Sequence, residues 1–254
     1  MLKYFLIFLL TIWMSGCHQQ ESYTLHLVGD STMADKKDPE LNPEHGWGQV
    51  LPSYFDSAVT VVNHAVNGRS TKSFIEEGKW DRVKAQIKSG DYVFIQFGHN
   101  DQKSKDAERY TNPYTGYRNN LKTYVTEAHA LGAKPVLFSS IVRRKFNEEG
   151  VLIDTHGVYP YVMRQLAIEL DVPFVDMQWY SEQLVASMGD PKSKKLYLWL
   201  EPGESSYKPE GKQDDTHFSK YGAQQMAQLA IKEMKNQGFP FVKYLKAENL
   251  KTNN

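Results

Sequence analysis

From Tyr23 onward, short apolar runs alternate with segments whose apolar residues recur every three or four positions. The runs YTLHLV (23–28), VTVVNHAV (59–66), YVFIQFG (92–98), KPVLFSS (134–140) and PFVDM (173–177) are rich in β-branched and aromatic residues. Gly, Pro, Asn, Asp and Ser bound them, so they predict strands. GWGQVLPSYF (46–55) predicts a helix interrupted by Pro52, and WDRVKAQIKSG (80–90) a helix closed by Gly90. NNLKTYVTEAHALG (119–132) places Leu121, Tyr124, Val125 and Ala128 on one face and ends at Gly132. YPYVMRQLAIELD (159–171) repeats Val162, Leu166 and Leu170 at intervals of four. SKYGAQQMAQLAIKEMKNQG (219–238) carries Ala223, Met226, Ala227, Ala230, Ile231 and Met234 on its apolar face. Nearly continuous apolar strands between amphipathic helices predict an α/β protein, with a parallel sheet of about five strands covered on both faces. Residues 99–118 and 191–218 read as long loops, which in a compact domain tend to carry function.

The first twenty residues belong to a different regime. MLKYFLIFLLTIWMSGCHQQ has Lys3, an apolar run from Tyr4 to Met14, then Ser15-Gly16-Cys17. The run is too short for a mature membrane span and has the order of a targeting segment. The one Cys of the chain stands directly behind it. This resembles the lipobox of bacterial lipoproteins, although Met14 stands where Leu is more usual. It implies acylation of Cys17 and an extracytoplasmic protein, with simple secretion as the other outcome. Residues 1–20 are then signal and tether, and 21–254 one domain. Neither outcome leaves a thiol for disulfides, metal ligation or nucleophilic chemistry.

Composition narrows the partners. The 254 residues suffice for one domain with a full core, and 41% hydrophobic with 24% charged residues is ordinary for a folded protein. Thirty basic and thirty acidic residues cancel, which argues against a nucleic-acid binder. Aromatic residues reach 13%, enough that some are available to stack on sugar rings as well as to fill the core.

In open α/β sheets ligands bind beyond the carboxyl ends of the strands. Those ends carry Gly29-Asp30-Ser31, Asn67-Gly68-Arg69-Ser70, Gly98-His99-Asn100-Asp101 and Ser139-Ser140, with Arg143-Arg144-Lys145 just beyond. Asp214 and His217 precede the last helix, close enough to sit side by side on one loop. A Ser hydroxyl becomes nucleophilic when a His takes its proton and a carboxylate orients that His. Acyl transfer also needs donors aimed at the developing oxyanion. Gly68 can offer a backbone N–H without steric hindrance, Asn100 a side-chain N–H, and Ser31 its own N–H. Gly98 lets the strand turn sharply before Asn100. A metal site from His64, His99 and His217 has no recognised spacing. Nucleotide-binding glycine loops, zinc-protease motifs and the Gly-x-Ser-x-Gly elbow do not occur.

Four blocks, VGDSTMAD, NHAVNGRSTKSF, FIQFGHNDQK and DDTHFSKYGA, resemble those of the SGNH (GDSL-type) hydrolase superfamily. They are most similar to its rhamnogalacturonan acetylesterase group. The resemblance runs from about Leu27 to Gly222. It implies a flavodoxin-like three-layer α/β/α fold without metal or organic cofactor. It also implies Ser31 as nucleophile, Asp214 and His217 as its partners, and Ser31, Gly68 and Asn100 as oxyanion donors. Local geometry leaves Asp214 and Asp215 both open as the partner of His217, and the family's Asp-x-x-His spacing selects Asp214. The implied substrate is acetylated plant polysaccharide, typically pectin; acetylated xylan, small acetylated sugars, or non-catalytic glycan binding are the alternatives. His99, Arg69, Arg143, Arg144 and His156 are candidate substrate contacts, the cluster Arg143-Arg144-Lys145 through pairing with uronate carboxylates.

Overall fold

The computed structural model describes residues 21–247. The targeting segment and Cys17 lie outside the described residues.

Five strands form a parallel sheet: β1 (Tyr23–Gly29), β3 (Val59–Asn63), β4 (Tyr92–Gln96), β5 (Lys134–Phe138) and β6 (Phe174–Val175). Their spatial order is β3-β1-β4-β5-β6, the flavodoxin-like order, which reverses direction beside β1. Alternation along the strands sorts side chains into two cores. Leu25, Leu27, Phe94, Val136 and Phe138 pack with Met226, Ala230 and Met234 of α7 (Lys220–Asn236). Val28, Val93, Ile95 and Leu137 face the other way. They meet Phe74 of α2 (Thr71–Glu76), Trp80 of α3 (Lys79–Lys84), Leu121 and Tyr124 of α4 (Arg118–Ala130), and Val162 and Leu166 of α5 (Tyr159–Glu169). The layers are therefore those the apolar periodicities predict.

Three features depart from those patterns. The segment around Pro52 is a short α1 (Trp47–Val50) that tightens into a 3₁₀ turn over Leu51–Tyr54. A helix unseen in the sequence, α6 (Met177–Ser193), follows β6; Asp176 caps it and Gly189 kinks it. Residues 191–218, expected as a loop, instead hold β7 (Tyr197–Leu200) and most of β8 (Lys212–Ser219). With β2 (Glu44–His45) these make a second, antiparallel sheet of order β2-β8-β7. β8 runs directly into α7, whose first turn is capped by the Ser219 hydroxyl accepting from Gly222 N at 3.0 Å.

Candidate active site

Ser31 follows β1 in a tight turn. The Asp30 carboxylate shapes that turn, accepting from Thr32 N and Thr32 Oγ1, each at 2.9 Å. Its other oxygen accepts from His99 Nδ1 at 3.2 Å. Burial raises the Asp30 pKa, but His99 and Thr32 outweigh burial and hold it down at about 2. The Ser31 carbonyl is held from beneath by Lys36 Nζ at 2.6 Å. The same ammonium donates to Asn67 Oδ1 at 2.7 Å and pairs with Glu44 at 2.8 Å. Lys36 is only 6% exposed, so the cation ties the nucleophile turn to the turn that carries Gly68. Its sequence context, STMADKKD, gives no hint of this; only its buried position reveals it.

His217 reaches Ser31 from the second sheet. Its Nδ1 lies 2.9 Å from Asp214 Oδ2, and its Nε2 lies 2.9 Å from Ser31 Oγ. With the proton on Nδ1 bound by Asp214, Nε2 accepts from the hydroxyl. Asp214 Oδ1 also accepts from the backbone N–H groups of Thr216 and His217, at 2.9 and 3.0 Å. Burial would raise the Asp214 pKa, but these bonds and the imidazole hold it well below the usual carboxylate range. The cause of the pairing is a bulge. Tyr197 pairs with Phe218 but Leu198 with Asp214, so residues 215–217 are extruded against one step of β7. The extrusion lets a carboxylate three residues away fold back onto the imidazole ring. The pair thus sits within a strand, not on the expected loop.

Asp215 is tied down separately. Its carboxylate accepts from Arg144 Nη1 at 2.7 Å and Trp199 Nε1 at 2.8 Å, and its carbonyl accepts from Arg144 N at 2.8 Å.

The candidate oxyanion donors Ser31, Gly68 and Asn100 stand on the turns that follow β1, β3 and β4. Gly68 holds φ +76°, a left-handed conformation that favours glycine. Among the described residues neither Gly68 N–H nor Ser31 N–H has an acceptor. Asn100 Nδ2 donates to the Arg69 carbonyl at 3.0 Å, which fixes the amide and leaves its second N–H free. Gly98 holds φ +150°, and a Cβ there would come within 2.3 Å of Ser140 Oγ. The sharp turn that delivers Asn100 therefore requires glycine. Asp101, the last residue of that block, faces away from the hydroxyl. It accepts from Thr71 N at 3.1 Å, Thr71 Oγ1 at 2.5 Å and Thr111 Oγ1 at 2.8 Å. Burial pushes its carboxyl up to about 7 despite those donors. The central strand also holds a polar residue that sequence reading passed over. Gln96 accepts from Trp47 Nε1 at 2.8 Å and donates to the Ser139 carbonyl at 3.1 Å. Its signal was a lone amide in an apolar run.

The candidate substrate contacts divide. Arg69 lines a cleft of about 480 Å³ beside Gly68, together with Arg109, Asp106 and Glu77. Its guanidinium is taken up by Glu77 and by the Asn67 carbonyl. Arg143 bonds only uncharged acceptors: the His99 carbonyl, Gln102 Oε1, and Thr155. Among the described residues it has no carboxylate partner. Three expectations change. Arg144 is buried with its guanidinium taken up by Asp190 and Asp215, so it braces the His217 bulge. His156 is 2% exposed, accepts from Gln102 Nε2 and donates to the Ile141 carbonyl, leaving no nitrogen for a substrate. His99 is equally enclosed at 3% exposure, and its service is to Asp30. His64 sits against His26, at 3.0 Å, and does not join His99 and His217; among the described residues no group of three potential ligands is placed to hold a metal ion.

The arrangement suits attack by a hydroxyl on a carbonyl carbon, with a base for its proton and N–H donors for the charge. Comparison with known proteins points the same way. The chain is 42% identical over 219 residues to rhamnogalacturonan acetylesterase RhgT of Bacillus subtilis, covering 86% of this chain and 92% of that protein. It is 36% identical over 216 residues to YesY of the same bacterium, covering 85% and 94%. Among solved structures, YxiM of Bacillus subtilis superposes with a TM-score of 0.73 at 27% identity, covering 86% of this chain and 58% of YxiM. Residues 27–225 match the GDSL-like lipase/acylhydrolase family, and the chain belongs to it.

Proposed function

We propose that this protein is a serine esterase that removes O-acetyl groups from a pectic polysaccharide, with rhamnogalacturonan as its substrate. The observation that carries the chemistry is the unbroken relay from Ser31 Oγ through His217 to Asp214, at 2.9 Å for each bond, with the Ser31 and Gly68 N–H groups left without acceptors among the described residues. The name of RhgT and the length of the match to it support the substrate.

In the reaction, Ser31 Oγ attacks the acetyl carbonyl carbon while His217 Nε2 takes the hydroxyl proton. Asp214 stabilises the imidazolium. The carbonyl oxygen becomes an oxyanion held by Ser31 N–H, Gly68 N–H and Asn100 Nδ2–H. Collapse breaks the bond to the sugar oxygen, which leaves as an alcohol with the proton from His217. Water, deprotonated by His217, then cleaves the acetyl-serine ester and releases acetate.

Arg143 supports the acidic character of the substrate. It is half-buried and carries no ion pair among the described residues; burial lowers its pKa, and the more distant Asp30 only partly offsets this. A uronate carboxylate would supply the missing counter-charge.

Acetate release from acetylated rhamnogalacturonan, xylan and a small neutral ester tests the assignment. Ser31→Ala should remove activity on the preferred substrate by on the order of 10⁴-fold or more while the protein stays folded. Arg143→Gln should narrow the preference for uronate-bearing substrates. Near-normal release from folded Ser31→Ala, or preference for xylan, would overturn the respective part.

The lipobox-like Ser15-Gly16-Cys17 supports a lipid-anchored protein outside the cytoplasm. Cell fractionation checks this: Cys17→Ala should move the protein out of the membrane fraction, and an unchanged distribution would exclude the anchor.

A further inference from the structure

Among the described residues five aromatic rings are strongly exposed, and two of them, Tyr221 and Tyr207, are covered by a cation. Tyr221 has Lys195 Nζ 5.0 Å from its ring centre and Tyr207 has Lys208 at 5.8 Å; the half-buried Trp199 is covered too, by Lys194 at 4.1 Å and Arg144 at 5.0 Å. Tyr114, 60% exposed, has no such cover among the described residues and lies outside the cleft that holds the other two rings; Tyr161 and Trp179 are the uncovered pair that stands together. They are 57% and 56% exposed, and among the described residues no cation or second ring lies over either.

The two rings share one shallow cleft of about 200 Å³, formed where the first turn of α5 meets the first turn of α6. The polar groups at its wall suit hydroxyl groups. Glu182 lines the cleft and has no hydrogen-bond or ion-pair partner among the described residues. Gln178 uses one amide N–H on Asp154, at 3.4 Å, and keeps its carbonyl oxygen free. Flat apolar faces beside isolated hydrogen-bonding groups match a sugar ring, which presents C–H groups on its faces and hydroxyls at its edge.

Position supplies the second line of support. Trp179 lies just past the carboxyl end of β6, on the edge of the sheet where β1 and β4 deliver Ser31 and Asn100. β6 is three strands from β1, about 14 Å along the hydrogen-bonding direction. One loop joins the two places. Thr155 and His156 contact Arg143 and Gln102 beside the nucleophile. Asp154 of the same loop contacts Gln178, and Gly157 lines the cleft.

We propose that Tyr161 and Trp179 form a distal subsite that grips a sugar residue of the polysaccharide several units away from the acetyl group being cleaved. The proposal rests on the polysaccharide acetylesterase reading. The subsite makes the enzyme favour long chains over short ones, because only a long chain reaches both places.

Binding is measured with the Ser31→Ala protein, which retains both surfaces, against acetylated rhamnogalacturonan polymer and against an acetylated disaccharide prepared from it. Ser31→Ala carrying Tyr161→Ala or Trp179→Ala should bind the polymer about three- to tenfold more weakly per ring removed. The loss on the disaccharide should be clearly smaller, and Trp179→Phe should recover part of the polymer affinity. Thermal melts of each variant confirm folding, since both side chains are exposed. Equal losses on polymer and disaccharide, or no loss on polymer, would overturn the subsite. If the Ser31→Ala parent binds neither ligand, the substrate assignment fails instead, and repeating the comparison with acetylated xylan polymer and its disaccharide then tests the subsite by itself.

Discussion

Asn100, in its proposed role as oxyanion donor, is a side chain prepared for a charge that exists only in passing. Its amide is fixed by the Arg69 carbonyl at 3.0 Å, so it does not reorganise when the oxyanion forms. Asn100→Ala should therefore lower kcat by roughly 10²–10³-fold with little change in KM. Steady-state kinetics decide it: a change confined to KM would make Asn100 a ground-state contact. Its neighbour Asp101 is legible only in part. The sequence places a carboxylate at the end of a buried strand, but not whether it faces substrate or core. Here it faces Thr71 and Thr111, and burial pushes its pKa up to about 7. An unfolded Asp titrates near 3.9, so between about pH 4 and 7 the folded state binds the extra proton. Asp101 thus favours folding fully below about pH 4, and that contribution is lost as pH rises through 7, by up to ~1.4 kcal/mol per unit. His64 works in the opposite sense, since burial and His26 push it down to about 4 and its contribution is lost on acidification. The comparison must be differential. Stability of Asp101→Asn minus that of the wild type, from urea unfolding at several pH values, should rise between pH 4 and 7. A flat difference would show that Asp101 does not take up a proton on folding.

At the scale of elements, the decisive feature is the bulge in β8. In a regular strand Asp215, two residues from His217, would share its face, and Asp214 would point away. Three extruded residues reverse that choice. They also give Asp215 a task beyond a favourable charge near a helix start: it anchors the bulge to buried Arg144 and to Trp199. Asp214→Asn should cut kcat sharply and leave folding largely intact. Asp215→Asn should lower the melting temperature, because it strips a carboxylate from a buried guanidinium, a loss of about 3–5 kcal/mol in the most enclosed cases and less here, where Asp190 still pairs with Arg144. Melting curves and kinetics on both variants check this: if Asp215→Asn melts like the wild type, Arg144 does not depend on it. The same region marks the limit of what the chain discloses before folding. The five parallel strands were readable because each falls in a run of mostly apolar, β-branched or aromatic residues. β8 was not, since KQDDTHFS lacks alternation, has Phe218 as its one apolar residue and is a strand only through its partners; β7 is the short apolar run YLWL, which stands inside a segment expected as a loop. α6 was missed because Ser181 occupies a buried position on its inward face between Met177 and Val185.

Across the whole molecule, the four sequence blocks meet at the reversal of strand order beside β1, where an open sheet leaves a crevice. Their joint position was readable because strand ends on one edge must converge once the sheet is parallel. The buried props were not readable. Lys36 and Arg144 look like surface residues until the chain folds over them. The crevice is also divided between two sheets. The hydroxyl and the N–H donors belong to the parallel one, and the imidazole with its carboxylate belongs to the antiparallel one. Ser31 and His217 are 186 residues apart. A ribosome adding roughly 5–20 residues per second completes the nucleophile turn about 10–40 s before it makes the base. Throughout that interval the growing chain holds a serine with nothing to activate it. An esterase divided in this way stays inert while it is being made.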